Sequence, residues 1–194
     1  MEKAVTDNGC KNYIYTHRDA VTFKYLEKYD FIKENNLKAD IIGHLQTNKL
    51  KMVLPYVSLV QSVDSVRLLE AINAWGVANN KTINVLLELH VASEDTKQGL
   101  SADETIMLIS RTKEFPALCI KGIMGMATFT DDESVIKSDF TVLREIFDIC
   151  RSRFPDLADD FSELSMGMSD DYPIAVAMGS TIVRIGSMIF GERN

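Results

Sequence analysis

A barrel of alternating parallel strands and helices is the fold class this sequence predicts, and three observations predict it. Strand-length apolar runs alternate with amphipathic segments from end to end of the 194 residues. The strand runs read as apolar on both faces, the mark of a parallel sheet covered by helices. No Gly-x-Gly-x-x-Gly opens the first helix, which leaves a dinucleotide fold without its phosphate loop. The closed eight-fold barrel, a TIM-type fold, is therefore the expected class, yet only seven strand runs can be counted. The chain is also slightly shorter than the roughly 200 residues usual for such a barrel, so one strand-helix unit is expected to be missing.

The runs are 13–15, 41–45, 57–60, 83–90, 118–126, 164–168 and 182–185. Ahead of them, Glu2-Lys3-Ala4-Val5 followed by Asn8-Gly9 reads as the tail of a helix whose beginning is absent. The helices follow in order. The first two cover about 18–34 and 47–54, and the third starts near Asp64 with Leu68, Leu69, Ile72 and Trp75 turned inward. Ser101 and Glu104 form a capping box before a helix that runs to about Lys113. Thr130 and Glu133 have the same spacing before the clearest helix, 133–151, where Ile136, Phe140, Leu143, Phe147 and Cys150 make one apolar stripe. A last helix, 172–178, is closed by Gly179.

Composition fits one ordinary domain spanning 1–194, with 46% apolar and 25% charged residues. A net charge of −7 and a pI near 5.0, with no basic cluster, argue against a nucleic-acid partner. No apolar run approaches the roughly 18 residues of a membrane span, and the amino terminus has neither the basic start nor the apolar stretch of a secretory signal. A cytoplasmic protein with no membrane partner is expected. Cys10, Cys119 and Cys150 are too few and too scattered for a disulfide framework, and His17, His44 and His90 lack the spacing of a metal pair, so no metal is expected.

The candidate chemistry lies at the carboxyl ends of the strands, where barrels gather their functional groups. Alternation along the last strand puts Ile182, Arg184 and Gly186 on one face, with Val183 and Ile185 on the other. An arginine facing the barrel interior cannot lose its proton, so it would keep a neighbouring pyridine nitrogen unprotonated; the alternative is a surface arginine or a structural ion pair. Ser165, Ser169, Gly186 and Ser187 could meet a phosphate with hydroxyls and open backbone amides, or serve only as turn residues. Met124-Gly125-Met126 and Met166-Gly167-Met168 place paired methionines on one face of neighbouring strands, read as barrel packing. His44 and Asn48, within Gly43-His44-Leu45-Gln46-Thr47-Asn48-Lys49, line a pocket or cap a helix. Lys97, in a loop with Gly99, is a solvated lysine or a Schiff-base former.

In this order, the Gly43 to Lys49 segment, Ser165-Met166-Gly167-Met168-Ser169, Gly179-Ser180-Thr181, Val183-Arg184-Ile185-Gly186 and the closing Phe190-Gly191-Glu192-Arg193 closely resemble the pyridoxal phosphate homeostasis proteins, the YggS/PROSC family. The resemblance runs from about Gly9 to the end. It implies a barrel similar to the amino-terminal domain of alanine racemases and the cofactor pyridoxal 5′-phosphate. It also implies a role in intracellular cofactor homeostasis without catalysis. Arg184 matches the arginine that faces the pyridine nitrogen, Ser165, Gly186 and Ser187 fall where the phosphate is held, and His44 and Asn48 match a strand-end motif with no assigned contact. The family's first strand, with its Schiff-base lysine, has no counterpart here; Lys3 and Lys11 lack its strand context, and the ground for expecting covalent attachment goes with it. Tyr13-Ile14-Tyr15-Thr16 also replaces the family's next motif. The alternatives are an amino-acid racemase-like enzyme, which needs two opposed bases, and a degenerate interaction protein that no longer binds cofactor. A barrel short of one unit exposes strand edges and apolar lining, so self-association is expected.

Overall fold

The computed structural model describes residues 13–16, 34, 38–92 and 98–191. The presumed helix tail at 2–5, Lys3, Cys10, Lys11, His17, most of the expected 18–34 helix, Lys97 and the Glu192-Arg193 pair lie outside the described residues. The described strands are β1 (Tyr13–Thr16), β2 (Lys38–Ile41), β3 (Leu59–Val63), β4 (Ile83–Glu88), β5 (Leu118–Met124), β6 (Glu163–Met168) and β7 (Ile182–Arg184). They form one seven-stranded sheet in chain order, parallel at every pairing, as the alternating pattern predicts. The described helices are α1 (Leu50–Val53), entered through a 3-10 turn at Thr47–Lys49, α2 (Val66–Ala78), α3 (Ala102–Ser110), α4 (Glu133–Arg153), α5 (Tyr172–Ala177) and α6 (Ser187–Phe190). Among the described residues no helix is long and apolar enough to cross a membrane.

The sheet is curled into a barrel wall. Strands β3 and β6 are three places apart, which in a flat sheet means about 14 Å, yet the Ser165 hydroxyl on β6 donates to Gln61 Oε1 on β3 at 2.7 Å. The curl separates two cores. Leu59, Leu86, Met124 and Ile182, from β3, β4, β5 and β7, pack together inside the barrel. On the outer face Ile41, Val60, Val85, Leu87, Ile123, Leu164 and Met166 meet the helices, including Leu68, Leu69 and Ile72 of α2 and the whole stripe of Ile136, Phe140, Leu143, Phe147 and Cys150 on α4. Burying a side chain of this size is worth roughly 1.5 to 3 kcal/mol, so α4 is held by its stripe rather than by propensity.

Ser101 and Glu104 form the predicted capping box, and Gly179 closes α5 at φ +89°. At α4 the cap differs from expectation. Asp132 is the capping residue, its carboxylate accepting from Ser134 N at 2.8 Å, because it lies one residue before the helix, whereas Thr130 Oγ1 accepts from Asp132 N at 3.1 Å. Gly122, at φ +155°, is required by β5–β6 pairing: a Cβ there would stand 1.7 Å from the Glu163 carbonyl oxygen.

Four expectations are corrected. The second strand is Lys38–Ile41 rather than 41–45, and the third is Leu59–Val63 rather than 57–60. In both cases polar residues (Asp40 in the second strand, Gln61 and Ser62 in the third) are wholly buried on the strand and disguise its apolar pattern. The strands are thus not apolar on both faces. The methionine pairs do not share a face either: Met124 lies inside the barrel and Met166 outside it, while Met126 and Met168 are exposed.

Candidate functional site at the barrel mouth

Alternation fixes what reaches the interior. On β7, Ile182 packs into the inner core and Arg184, two residues on, is 5% exposed one step nearer the carboxyl end. Its guanidinium is held on two sides, Nη1 donating to Ser165 Oγ at 2.7 Å and Nη2 to the Gly125 carbonyl oxygen at 2.9 Å. A Cβ on Gly125 would meet Leu143 Cδ2 at 2.5 Å, so a side chain there would press on the outer core. The Ser165 hydroxyl in turn donates to Gln61 Oε1, and Gln61 Nε2 donates to Asp40 Oδ2 at 2.8 Å. A buried relay therefore runs from β2 through β3 and β6 to β7. Neutral partners carry most of it, so the arginine keeps its charge and gains a fixed orientation.

Above the relay stand three more titratable groups. His44, in the loop after β2, shares a 2.8 Å hydrogen bond between Nδ1 and Asp64 Oδ2, and Ser65, which caps α2, donates to the other Asp64 oxygen at 3.0 Å. Glu88 ends β4, 6% exposed, and two residues beyond the inner-core Leu86 it shares that interior face. Burial and the nearby Asp64 carboxylate push the Glu88 carboxyl up to about 7, against the opposing pull of Arg184 and His44.

The loops after β6 and β7 complete the rim. Ser169 Oγ accepts from Gly186 N at 3.2 Å and from Met188 N at 3.5 Å, tying the two loops together. Asp171 accepts from Met168 N at 2.5 Å and sets the turn after β6. Gly186 and Ser187 are exposed, and a Cβ added to Gly186 would meet nothing within 4 Å, so the main chain there faces open space.

The structure thus brings Arg184 and Ser165 into direct contact and sets His44 in the same electrostatic neighbourhood, with Gly186 and Ser187 immediately after β7. Ser165, expected at a phosphate, is fully buried and its hydroxyl serves the arginine and Gln61 instead. Asn48 lies exposed in the 3-10 turn before α1, and among the described residues no hydrogen bond joins it to the relay. Sequence reading missed Asp40, Gln61, Asp64 and Glu88. The signal that found Arg184, a polar residue embedded in an apolar strand, was available for Glu88, which lies within the 83–90 run. The lysines on the described strands are Lys38, the first residue of β2, and Lys121, whose Nζ is paired with Asp160 at 2.6 Å.

The family model of the alanine racemase N-terminal domain matches residues 18–194. The pyridoxal phosphate homeostasis protein of Pasteurella multocida is 33% identical over 171 residues, which cover 87% of this chain and 72% of the relative. Among solved structures, a protein of unknown function from Bifidobacterium adolescentis superposes with a TM-score of 0.84 at 33% identity, over 94% of this chain and 76% of the other. PipY of Synechococcus elongatus, solved with pyridoxal phosphate bound, superposes with a TM-score of 0.77 at 24% identity, over 86% and 76% of the two chains, a likeness of fold.

Proposed function

Because the chain belongs to the family of the alanine racemase N-terminal domain, and within it to the pyridoxal phosphate homeostasis proteins, we propose that it binds pyridoxal 5′-phosphate at the barrel mouth. Its work is then intracellular handling of that cofactor, without turnover of a substrate. The observation that carries the reading is Arg184, a permanently charged donor fixed inside the barrel beside the open Gly186–Ser187 turn.

The residues present fit the group. Arg184 would face the pyridine nitrogen, where a donor that cannot give up its proton keeps the ring nitrogen unprotonated. The amide and hydroxyl of Ser187 would meet the phosphate, with Ser169 bracing the turn through the Gly186 amide; the space in front of Gly186 is what a phosphate oxygen needs. Ser165 positions the arginine, and His44 and Asn48 shape the opposite rim. When bound, the cofactor supplies an electrophilic aldehyde and an electron-withdrawing ring. A protonated ring nitrogen promotes carbanion chemistry, so an arginine at this position leaves the ring a weaker electron sink. The relative is likewise named for homeostasis and not for racemisation, which favours the non-catalytic reading over a racemase-like enzyme.

The free thiols Cys119 and Cys150 accord with a cytoplasmic setting. We also propose that copies of the chain associate beside β7, where Met188 and Ile189 are 59% and 66% exposed; light scattering at two concentrations tests this, and a concentration-independent monomer opposes it. For the cofactor, equilibrium dialysis with pyridoxal phosphate, followed by borohydride reduction and mass analysis, is the direct test. Saturable binding is expected, and any covalent share appears as an adduct on a lysine. Absence of both an adduct and reversible binding would remove the chain from the cofactor-binding class.

A further inference from the structure

Glu88 has no part in the proposed contacts, and its environment is unusual. Its residue is 6% exposed on the interior face of β4, and among the described residues no side chain or backbone group hydrogen-bonds to its carboxyl. The other buried polar side chains of the relay are all bonded, Gln61 to Asp40 and Ser165, and Ser165 to Arg184. A carboxyl placed this way, nearly buried and bonded to no described protein group, is open to a donor that enters the barrel. The charged groups that act on it are Asp64 from the loop after β3, His44 from the loop after β2, and Arg184 from β7. Arg184 is already engaged with Ser165 and Gly125.

We infer that Glu88 is a specificity-determining residue of this site, selecting the amine form of the phosphorylated vitamin, pyridoxamine 5′-phosphate, by pairing with its protonated amine. The inference rests on the cofactor reading above. An ammonium group supplies the donor that the Glu88 carboxylate lacks, while ligands ending in an aldehyde or a methyl group at the same ring position supply none. The pairing needs Glu88 ionised, and its carboxyl is held up to about 7 in the free protein. Only about a tenth of the molecules are therefore competent at pH 6 and about nine-tenths at pH 8, and apparent affinity scales with that fraction.

The test is to titrate the purified chain with pyridoxamine 5′-phosphate and with 4-deoxypyridoxine 5′-phosphate at pH 6 and pH 8. The two probes share the ring and the phosphate, so the ratio of their affinities cancels ionisation of the phosphate. In the wild type that ratio should rise about tenfold in favour of the amine from pH 6 to pH 8. In Glu88→Gln, confirmed as folded by circular dichroism, the rise should vanish. In Asp64→Asn, which removes the carboxylate that raises Glu88, the midpoint of the rise should move to lower pH. A ratio that is flat with pH in the wild type, or a rise that persists in Glu88→Gln, overturns the assignment of Glu88 while leaving the cofactor site standing. Failure of both probes, and of pyridoxal phosphate itself, to bind overturns the cofactor reading and this inference with it.

Discussion

Replacing Ser165 by alanine tests the buried relay at its centre. The change removes one hydroxyl and takes a hydrogen-bond partner from two groups, Nη1 of Arg184, which donated to it at 2.7 Å, and Oε1 of Gln61, which accepted from it at 2.7 Å. Ser165 and Gln61 are completely buried and Arg184 is 5% exposed, so bulk water cannot replace the lost partner. Each buried group left without a partner costs about 1 to 3 kcal/mol, with the charged one toward the upper end. Allowing for relaxation of the long side chains, the expected loss is about 3 kcal/mol, or about 6 to 12 °C in Tm for a chain of this size. Urea unfolding followed by circular dichroism measures it. The relay also predicts coupling: Gln61→Leu combined with Ser165→Ala should cost less than the two single changes added together, because each single change orphans the other's partner. A loss within about 0.5 kcal/mol, typical of a surface change, or strictly additive costs would refute the relay.

Other outcomes follow from single features. Glu88 holds its proton more tightly folded than unfolded, rising from 4.5 to about 7. Its contribution to stability is therefore complete below pH 4.5 and lost as pH rises through 7. Relative to Glu88→Gln, the wild type should lose about 3 kcal/mol across that window in denaturant titrations, and a parallel pH dependence in the two proteins would contradict it. Ser101→Ala removes the α3 capping box and should cost about 1 kcal/mol by urea unfolding; a neutral result would mean that the helix end is held by packing alone. Gly122→Ala should prevent folding into the native sheet, because its Cβ would overlap the Glu163 carbonyl, and a soluble variant with native circular dichroism would show that the β5–β6 pairing is placed wrongly. Burial pushes the Cys150 thiol up to about 11, so it should resist alkylation at pH 8 until denaturant is added.

Much of the fold is legible in the sequence because the outer face obeys one rule. Helices bury a stripe, strands bury alternate residues against them, and the α4 stripe from Ile136 to Cys150 could be read residue by residue. The interior follows a different rule. There Asp40, Gln61, Ser165, Arg184 and Glu88 occupy positions that hydrophobic patterning assigns to apolar residues, and all but Glu88 are hydrogen-bonded to partners on other strands. The β2 and β3 boundaries were misplaced for this reason, since polarity that is balanced only in three dimensions looks like a strand end in one. Arg184 stood out because Ile182, Val183 and Ile185 surround it, whereas Asp40 and Gln61 lie next to residues that already suggested a loop. Ser165 was found, but its role was not. Its oxygen accepts from Arg184 on the neighbouring strand, and the curl of the sheet brings Gln61 to accept from its hydroxyl.

The central claim is that Arg184, fixed inside the barrel, recognises pyridoxal phosphate. The most direct measurement is calorimetric titration of the cofactor into the wild type and into Arg184→Ala, each shown to be folded under the same conditions. The wild type should bind saturably at one site per chain, and the variant should bind more weakly by about 1 to 3 kcal/mol, the scale of a lost charged hydrogen bond. Equal affinities in the two proteins would place the cofactor elsewhere, and no saturable heat in the wild type would contradict the claim outright.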